Sequence, residues 1–498
     1  MLAPWAPPFQ GLMIGQPQAA EEGMKAMAAG ANAVDAAVTG ALVAGTVALL
    51  SSGIAGYGGH MVIAMADGRV RVIDFNTEAP RRPPARVVQY GWESVGVPGV
   101  LAGLEFALAK YGTKSFRDCL RPAIRFASQG FALPESLGKS ISQLYGEYFS
   151  KDPGARKLFA PQDKPLRSGE TFRNPDLAAM LETLARDNSA EAFYRGELAR
   201  KLAEQYKLHG GTVTAEDLAS YRPREVEPIE WRMGGHRVVT APLTAGGATV
   251  LQALRSLEAL GPKGEGWHHA RLEALRIAWR DRLERFGDPL KVKDPVPTLL
   301  SDSTATRSAE RIRRAVAAGR ALEIDTPPVH AAGTTHLSVA DRAGNIVSVT
   351  FTHGDGFGAR VVIPGFGLIL GHGLSRFDPT PGHANGLAPR KRPLHNMCPT
   401  VLLNGNRPVA ALGATGGRRI PNAVFDILTR MLWEKMPLAE AVAAPRMNTT
   451  GTRDLVLSGK WSATDRDRFA QIGFKVEDGA PAVAQTLALD PEPVKASG

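Results

Sequence analysis

Three hairpin signatures, distributed along a chain of 498 residues, constrain its fold more strongly than any other feature. In each one, two runs of alternating apolar residues flank a turn with glycine, and the turns contain Asp67 and Gly68, Gly344 and Asn345, and Asn404 and Gly405. Such turns favour antiparallel pairing of the flanking strands. Helical patterns lie between them, over residues 100–110, 116–129, 175–187, 250–260 and 268–286. We therefore predict sheets covered by helices.

The most apolar window, residues 31–50, is predicted to form a buried helix. It contains Asp35, Thr39 and two glycines and is rich in alanine, which is unlike a membrane span. Asn32 is a suitable N-cap for this helix, and Asp35 suits its first turn. We predict no membrane partner.

Charge and composition favour a globular protein that acts on small molecules. The net charge is +10, and 44% of the residues are hydrophobic. The basic residues form no long runs and do not alternate with aromatic residues, so we predict no nucleic-acid partner. The positive charge instead favours an anionic small substrate.

Cysteine usage and the N-terminal sequence bear on compartment and cofactors. Cys119 and Cys398 are far apart and form no CxxC pattern, so neither a disulfide framework nor a redox site is predicted. No spacing of His, Asp or Glu supports a metal site, and we predict no metal and no cofactor. Residues 1–18 lack the pattern of a signal peptide. We predict a cytoplasmic protein, with a periplasmic or secreted location as the alternative if a leader has been removed.

The chemically most suggestive stretch is Gly333, Thr334, Thr335 and His336, which leads into a strand pattern over residues 336–341. A hydroxyl residue in this setting could cut its own chain and become a new N-terminus. The hydroxyl of Thr334 would then attack a substrate while its free α-amine, with an ordinary pKa of about 7.7–8.0, takes the proton. The same residues are also common in turns and strands, so the motif alone leaves both interpretations open.

Further motifs occur in order along residues 10–490. They comprise residues 30–38, Ser52 with the glycine loop to Gly59, residues 74–80, 96–105, 110–113 and 211–221, Thr334 to His336, residues 391–394, Met397 with Pro399 and Thr400, Gly416 and Gly417 with Arg419 and Ile420, and residues 444–446. Together they resemble the γ-glutamyltranspeptidase family of N-terminal-nucleophile hydrolases.

This resemblance implies a fold and a mechanism. The fold would be α+β, a four-layer αββα sandwich. The precursor would cut itself between Gly333 and Thr334, leaving a large segment, 1–333, and a small catalytic segment, 334–498, as one intertwined globular domain. The product would be a heterodimer of the two fragments, with a dimer of heterodimers left open. Thr334 would be the nucleophile, Thr352 its threonine partner, and Gly416 and Gly417 the oxyanion hole, for which two unhindered N–H groups are suited.

The residues that would recognise a γ-glutamyl group depart from the family's pattern. Asn76 stands where the family has an arginine, and Arg376 stands where it has an acid that grips the substrate's α-amine. Gly373 and Gly354 replace a glutamine and an asparagine. Two serines are replaced by His395 and Asn396, and a serine after the paired glycines is replaced by Arg418.

These departures predict a changed substrate. An arginine cannot replace an acid as the partner of an ammonium group, whereas guanidinium groups bind carboxylates well. We predict that Asn76, Arg376, His395, Asn396 and Arg418 bind an acyl group that bears a carboxylate and no free α-amine, as in oxamate or a dicarboxylic acyl amide. The alternatives are a γ-glutamyl hydrolase or transpeptidase for glutathione-type substrates, and an unprocessed member that acts as a binding protein.

Overall fold

Two antiparallel sheets lie at the centre of the computed structural model, which describes residues 10–324, 326 and 333–489. The strands are β1 (Gly11–Ile14), β2 (Gly58–Ala64), β3 (Val70–Asp74), β4 (Phe131–Ala132), β5 (Thr171–Phe172), β6 (Arg224–Val226), β7 (Ile229–Met233), β8 (His236–Thr240), β9 (Gly333–Asp341), β10 (Ile346–Gly354), β11 (Val362–Ile363), β12 (Leu368–Ile369), β13 (Thr400–Asn404), β14 (Arg407–Leu412), β15 (Ala414–Thr415), β16 (Arg446–Asn448), β17 (Asp454–Ser458), β18 (Lys475–Asp478), β19 (Val483–Ala484) and β20 (Leu487–Ala488). One central sheet has the order β1-β9-β10-β2-β3-β6, and the other has the order β20-β14-β13-β8-β7.

Helices cover the outer faces of both sheets. They are α1 (Pro17–Ala28), α2 (Ala33–Val47), α3 (Val100–Tyr111), α4 (Phe116–Gln129), α5 (Glu135–Leu144), α6 (Pro153–Phe159), α7 (Pro175–Asp187), α8 (Glu191–Tyr194), α9 (Gly196–Leu208), α10 (Ala215–Ser220), α11 (Gly247–Leu260), α12 (Trp267–Arg285), α13 (Val296–Leu299), α14 (Asp302–Ala318), α15 (Arg419–Leu432), α16 (Leu438–Ala443) and α17 (Ala463–Ile472). Among the described helices, none is both long and apolar enough to cross a membrane.

The inner faces of the two sheets pack against each other. Val62 and Ala64 of β2 share a buried cluster with Val239 of β8 and with Val401 and Leu403 of β13. Because side chains alternate along a strand, the intervening residues point to the opposite faces. This inner cluster is the contact between the two central layers.

The outer faces are buried under helices. Met61 and Ile63 of β2 share a cluster with Leu42 of α2 and Leu104 of α3. On the second sheet, Leu402 of β13 packs in a cluster with residues of α11, α12 and α15. The order of layers is therefore helices, sheet, sheet, helices, and the α+β, αββα prediction is confirmed.

Local sequence signals also hold in the structure. The apolar window forms α2, in which every residue is buried, and Asn32 caps it in a capping box with Asp35. The three predicted hairpins are present as β2–β3, β9–β10 and β13–β14. Strand β9 starts earlier than predicted, at Gly333. The composition of residues 323–330, with two adjacent prolines, predicts an exposed linker, and most of this segment lies outside the described residues.

Candidate active site

Two threonine hydroxyls meet on one carbonyl group at the start of β9. The Oγ1 atoms of Thr334 and Thr352 each donate a hydrogen bond to the carbonyl oxygen of Gly333, both at 2.6 Å. The backbone N–H of Gly354 donates to Oγ1 of Thr352 at 2.7 Å, which directs the hydroxyl proton of Thr352 towards Gly333. The bonded carbonyl belongs to the Gly333–Thr334 peptide bond, the predicted cleavage point.

The pairing of β9 with β10 creates this arrangement. Both strands lie inside the six-stranded sheet, where β10 also pairs with β2. Thr335 pairs with Phe351 and Gly333 pairs with Gly354, so the register shifts between the two pairs. Irregular pairing of this kind re-aims side chains at strand ends, and here it places Thr352 opposite the Gly333 carbonyl.

Gly416 lies on the same cavity as Thr334. This cavity of about 480 Å³ is also lined by Ser51, Gly356 and Thr415. Gly416 and Gly417 have φ angles of +133° and +63°, which favour glycine, and they connect β15 to α15. Their N–H groups have no hydrogen-bond acceptor within the described part of the chain, so both remain available to a developing negative charge. We call Gly333, Thr334, Thr352, Gly416 and Gly417 the cleavage edge.

A short chain of hydroxyl groups lies behind the cleavage edge. Thr335 Oγ1 donates to Ser52 Oγ at 2.9 Å and shares a 2.8 Å hydrogen bond with Ser51 Oγ. The sequence alone is consistent with two roles for Ser51 and Ser52, one that lines the site and one in an ordinary loop. Their contacts fix the residue that follows the predicted nucleophile.

Three guanidinium groups form an arginine cluster: Arg282, Arg376 and Arg418. Arg418 lies at the start of α15, directly after Gly417, and its charged neighbours are the other two arginines. Burial, and then the charges of Arg282 and Arg376, lower the pKa of Arg418 to about 9. No described carboxylate forms an ion pair with any of the three, so the cluster has uncompensated positive charge.

Several donor atoms of this cluster are unused. Nη1 of Arg418 and Nε of Arg376 are buried and have no hydrogen-bond partner among the described residues. Nη2 of Arg376 donates to Nε2 of His372 at 2.8 Å. Because Nδ1 of His372 lies 2.9 Å from the carbonyl oxygen of Gln89, Nδ1 carries the proton and Nε2 accepts from Arg376. His372 therefore holds the specificity candidate Arg376 in place.

Sequence reasoning missed Arg282, which lies in α12. Its guanidinium donates to the carbonyl oxygens of Ala245 at 3.2 Å and His395 at 2.6 Å. Burial lowers its pKa to about 10. Arg282 and Arg418 both lie near the ring of Trp279, with guanidinium carbons 5.8 and 5.9 Å from its centroid. Nothing in the local sequence separates Arg282 from the other arginines of its helix.

Asn76 and His395 are enclosed by protein groups. Nδ2 of Asn76 donates to Thr244 Oγ1 and to the carbonyl oxygen of Pro393, both at 2.7 Å. Nε2 of His395 lies 3.0 Å from Nδ1 of His60. Their remaining polar atoms, Oδ1 of Asn76 and Nδ1 of His395, are buried and have no partner among the described residues. Their contact with a substrate stays a prediction.

The His395 side chain belongs to a buried polar network. His60 Nε2 is 3.4 Å from a carboxylate oxygen of Asp74, and Asp74 pairs with Arg392 at 2.8 Å. Burial, and next the neighbouring His60, hold the pKa of His395 well below its ordinary value. The imidazole is therefore a neutral group. Asn396, the next residue, is half-buried, and its substrate role also stays a prediction.

Comparisons with known proteins show the family of this chain. A family model described as Gamma-glutamyltranspeptidase matches residues 19–492. The chain is 34% identical over 466 residues to a glutathione hydrolase proenzyme from Pseudomonas sp. (strain A14), covering 86% of this chain and 80% of that protein. It is also 34% identical over 464 residues to the acylase ACY 1 proenzyme from Pseudomonas sp. (strain SE83), covering 88% and 82%.

Solved structures show the same relationship. The cephalosporin acylase from Bacillus halodurans superposes with a TM-score of 0.88 at 27% identity, covering 99% of this chain and 96% of that one. A γ-glutamyltranspeptidase chain from Helicobacter pylori gives a TM-score of 0.56 at 30% identity, covering 60% and 90%. Since the family match spans nearly the whole sequence, the chain belongs to the γ-glutamyltranspeptidase family of amide-hydrolysing enzymes with an N-terminal nucleophile.

Proposed function

We propose that this protein is a self-processing threonine amidohydrolase that forms an acyl-enzyme on Thr334. The acyl group bears a carboxylate and no free α-amine, as in oxamate or a dicarboxylic acyl amide. The observation that carries the substrate proposal is the arginine cluster, in which Arg376 and Arg418 keep unused buried donors and have no carboxylate partner.

Self-processing would start from the hydrogen bonds at Gly333. Oγ1 of Thr334 attacks the carbonyl carbon of Gly333, and the C–N bond to Thr334 breaks as the nitrogen takes up a proton. Water then hydrolyses the resulting ester, which frees the carboxylate of Gly333 and the amine of Thr334. Thr352 would assist because its hydroxyl already donates to the oxygen that becomes negative.

Turnover would use the same groups on an external amide. The α-amine of Thr334 takes the hydroxyl proton, and Oγ1 attacks the substrate carbonyl. The N–H groups of Gly416 and Gly417 stabilise the negative oxygen of the tetrahedral intermediate. The amine leaves with the proton, and water resolves the acyl-enzyme.

Charge supports an anionic acyl group over a γ-glutamyl group. An α-ammonium group near Arg376 and Arg418 would meet like charges in a partly buried site, which disfavours binding. A carboxylate there would pair with the unused guanidinium donors. Relatives named acylase show that the family includes enzymes other than glutathione hydrolases.

The alternative is a γ-glutamyl hydrolase or transpeptidase that acts on glutathione-type substrates. Its support is the 34% identity to a glutathione hydrolase proenzyme. The third hypothesis, an unprocessed binding protein, is disfavoured because both threonine hydroxyls contact the predicted cleavage point.

A mass measurement followed by a substrate panel tests the proposal. Intact mass and a denaturing gel should show fragments 1–333 and 334–498, whereas the Thr334→Ala variant should stay whole. Kinetics on oxamate, a glutaryl amide and γ-glutamyl-p-nitroanilide should then give a higher kcat/KM for an anionic acyl amide without an α-amine. The highest kcat/KM on the γ-glutamyl amide would instead establish the alternative, and a chain that never cuts itself would favour the binding protein.

A further inference from the structure

Tyr57 occupies space that two glycines leave beside the cleavage edge. A Cβ atom on Gly354 would lie 2.2 Å from the ring of His372 and 3.0 Å from Cε1 of Tyr57. A Cβ atom on Gly373 would lie 2.5 Å from Cγ2 of Thr77 and 2.8 Å from Cβ of Tyr57. The glycines at these two positions therefore leave room for Tyr57, together with His372 and Thr77.

The backbone holds this side chain next to the predicted cleavage point. The N–H of Tyr57 donates to the carbonyl oxygen of Thr352 at 3.0 Å. Gly354, which the ring contacts, pairs with Gly333 across β9 and β10. Tyr57 is thus one strand away from the carbonyl group that Thr334 and Thr352 contact.

The phenol hydroxyl is a neutral donor with unused capacity. Tyr57 is 4% exposed, and its hydroxyl has no hydrogen-bond partner among the described residues. Burial raises its pKa to about 12, and the nearby positive charges of Arg376 and Arg282 oppose that shift. The group is therefore protonated in ordinary buffers and can donate a hydrogen bond to an anion. The side chain is largely buried, but its hydroxyl oxygen is not fully enclosed, so it is open to an external acceptor.

We propose that Tyr57 is a specificity-determining residue whose hydroxyl donates a hydrogen bond to the carboxylate of the acyl group, beside Arg376. This inference rests on the proposed function and adds to it a residue from the large segment. A neutral phenol near these positive charges supplies a directed hydrogen bond without adding charge.

The test is the Tyr57→Phe variant, which removes one oxygen atom and keeps the ring. We expect kcat/KM for a glutaryl amide to fall by about 10- to 100-fold, the usual range for a hydrogen bond to a charged group. For the neutral isostere, a pentanoyl amide with the same leaving group, we expect a change of less than about threefold. Inhibition by glutarate should weaken by the same factor as the glutaryl reaction.

Tyr206→Phe is the matched control. Tyr206 is 1% exposed, burial alone raises its pKa, and it packs edge-on against Trp92 in the helical layer. Both variants should cut themselves at Thr334 and retain the thermal midpoint of the parent protein, which shows that the fold is intact.

The outcomes separate the two proposals. If the parent protein does not prefer the glutaryl amide over its neutral isostere, the proposed acyl group is wrong. The proposed role of Tyr57 is then also wrong, because it requires a carboxylate on the acyl group. If the preference exists but Tyr57→Phe behaves like Tyr206→Phe, only the role of Tyr57 is wrong. An equal loss on both amides would also overturn it, since the hydroxyl would then be structural.

Discussion

The cleavage edge and the arginine cluster are neighbours, but they consist of different chemical groups. The cleavage edge consists of strand hydroxyls and glycine N–H groups positioned by one hairpin and one strand-to-helix turn. The arginine cluster and Tyr57 come from four separate segments and depend on side-chain packing and charge. This difference suggests that the bond-breaking chemistry and the choice of substrate can change independently.

The largest expected effect is at the nucleophile of the cleavage edge. Thr334→Ala removes the attacking oxygen, so we expect no self-cleavage and a loss of activity of at least about a thousandfold. Thr334→Ser is the control, because it keeps a hydroxyl and should still cut. Intact mass spectrometry measures cleavage in both variants. If the Ala variant is cleaved at the same bond, Thr334 is not the nucleophile of self-cleavage.

A smaller effect is expected at the second threonine. Thr352→Val keeps the shape but removes the donor to the Gly333 carbonyl, so self-cleavage should slow by about 10²- to 10³-fold. The matched control is Thr350→Val, a buried threonine on the same strand that bonds instead to Nδ1 of His336 at 2.7 Å. Equal cleavage rates for the two variants, timed on denaturing gels, would show that the hydroxyl of Thr352 contributes nothing specific.

Charge reversal tests the arginine cluster. Arg376→Asp should lower kcat/KM for a carboxylate-bearing acyl amide by about 100-fold, through loss of a charge-assisted donor and added repulsion. Self-cleavage should continue, because the hydrogen bonds to the Gly333 carbonyl come from Thr334 and Thr352 and do not involve this guanidinium. The exposed Arg314→Asp variant is a control for the change in net charge. If kcat/KM of the Arg376→Asp variant falls equally for anionic and neutral substrates, the proposed separation of the two regions is wrong.

The smallest expected effect concerns stability near the cleavage edge. Burial lowers the pKa of His353 to about 3 from an ordinary value near 6.5. Above pH 6.5 the imidazole is neutral in both states, but below it only the unfolded chain takes up the proton. His353 should therefore contribute a fall of about 1.4 kcal/mol in the free energy of unfolding for each pH unit as the pH drops from 6.5 towards 3, in addition to the contributions of other buried histidines such as His336.

Denaturant unfolding between pH 7 and pH 4 measures this slope. In the His353→Leu variant this slope should be smaller by about 1.4 kcal/mol per pH unit, the contribution of one proton, even if the stability of the variant at pH 7 differs. An unchanged slope would mean that His353 takes up its proton in the folded state, and that the strand end beside Thr352 is better solvated than its burial indicates.

Some parts of this molecule could be predicted because their causes lie close together in sequence. Asn32 and Asp35, three residues apart, cap the helix that begins at Ala33, and Asn404 and Gly405 turn one strand onto the next. Thr334 and Thr352 belong to a single hairpin, so their meeting follows from local pairing. The roles of these two threonines in catalysis remain predictions, although the structure brings them to one carbonyl group.

Other parts could not be predicted, because their causes are contacts between distant segments. Nothing near Tyr57 in the sequence indicates that its side chain packs close to Gly354 and Gly373. Asn76 and His395 were predicted alongside Arg376 and Arg418, yet their described donors face protein groups, whereas the two arginines retain unused ones. Which polar atoms are satisfied depends on the packing around them.

By itself the sequence determined the family, through its ordered motifs, and sheets covered by helices, through periodicity and turns, because these are local properties of the chain. The αββα layers and the predicted cleavage position followed from the family resemblance, and the cleavage position stays a prediction. Only the tertiary structure decided which charges lack a partner. Arg282, Arg376 and Arg418 are spread over more than 130 residues and became one site because folding placed them together and left no described carboxylate to pair with them. Electrostatic balance depends on distances through space, and those distances are set by packing.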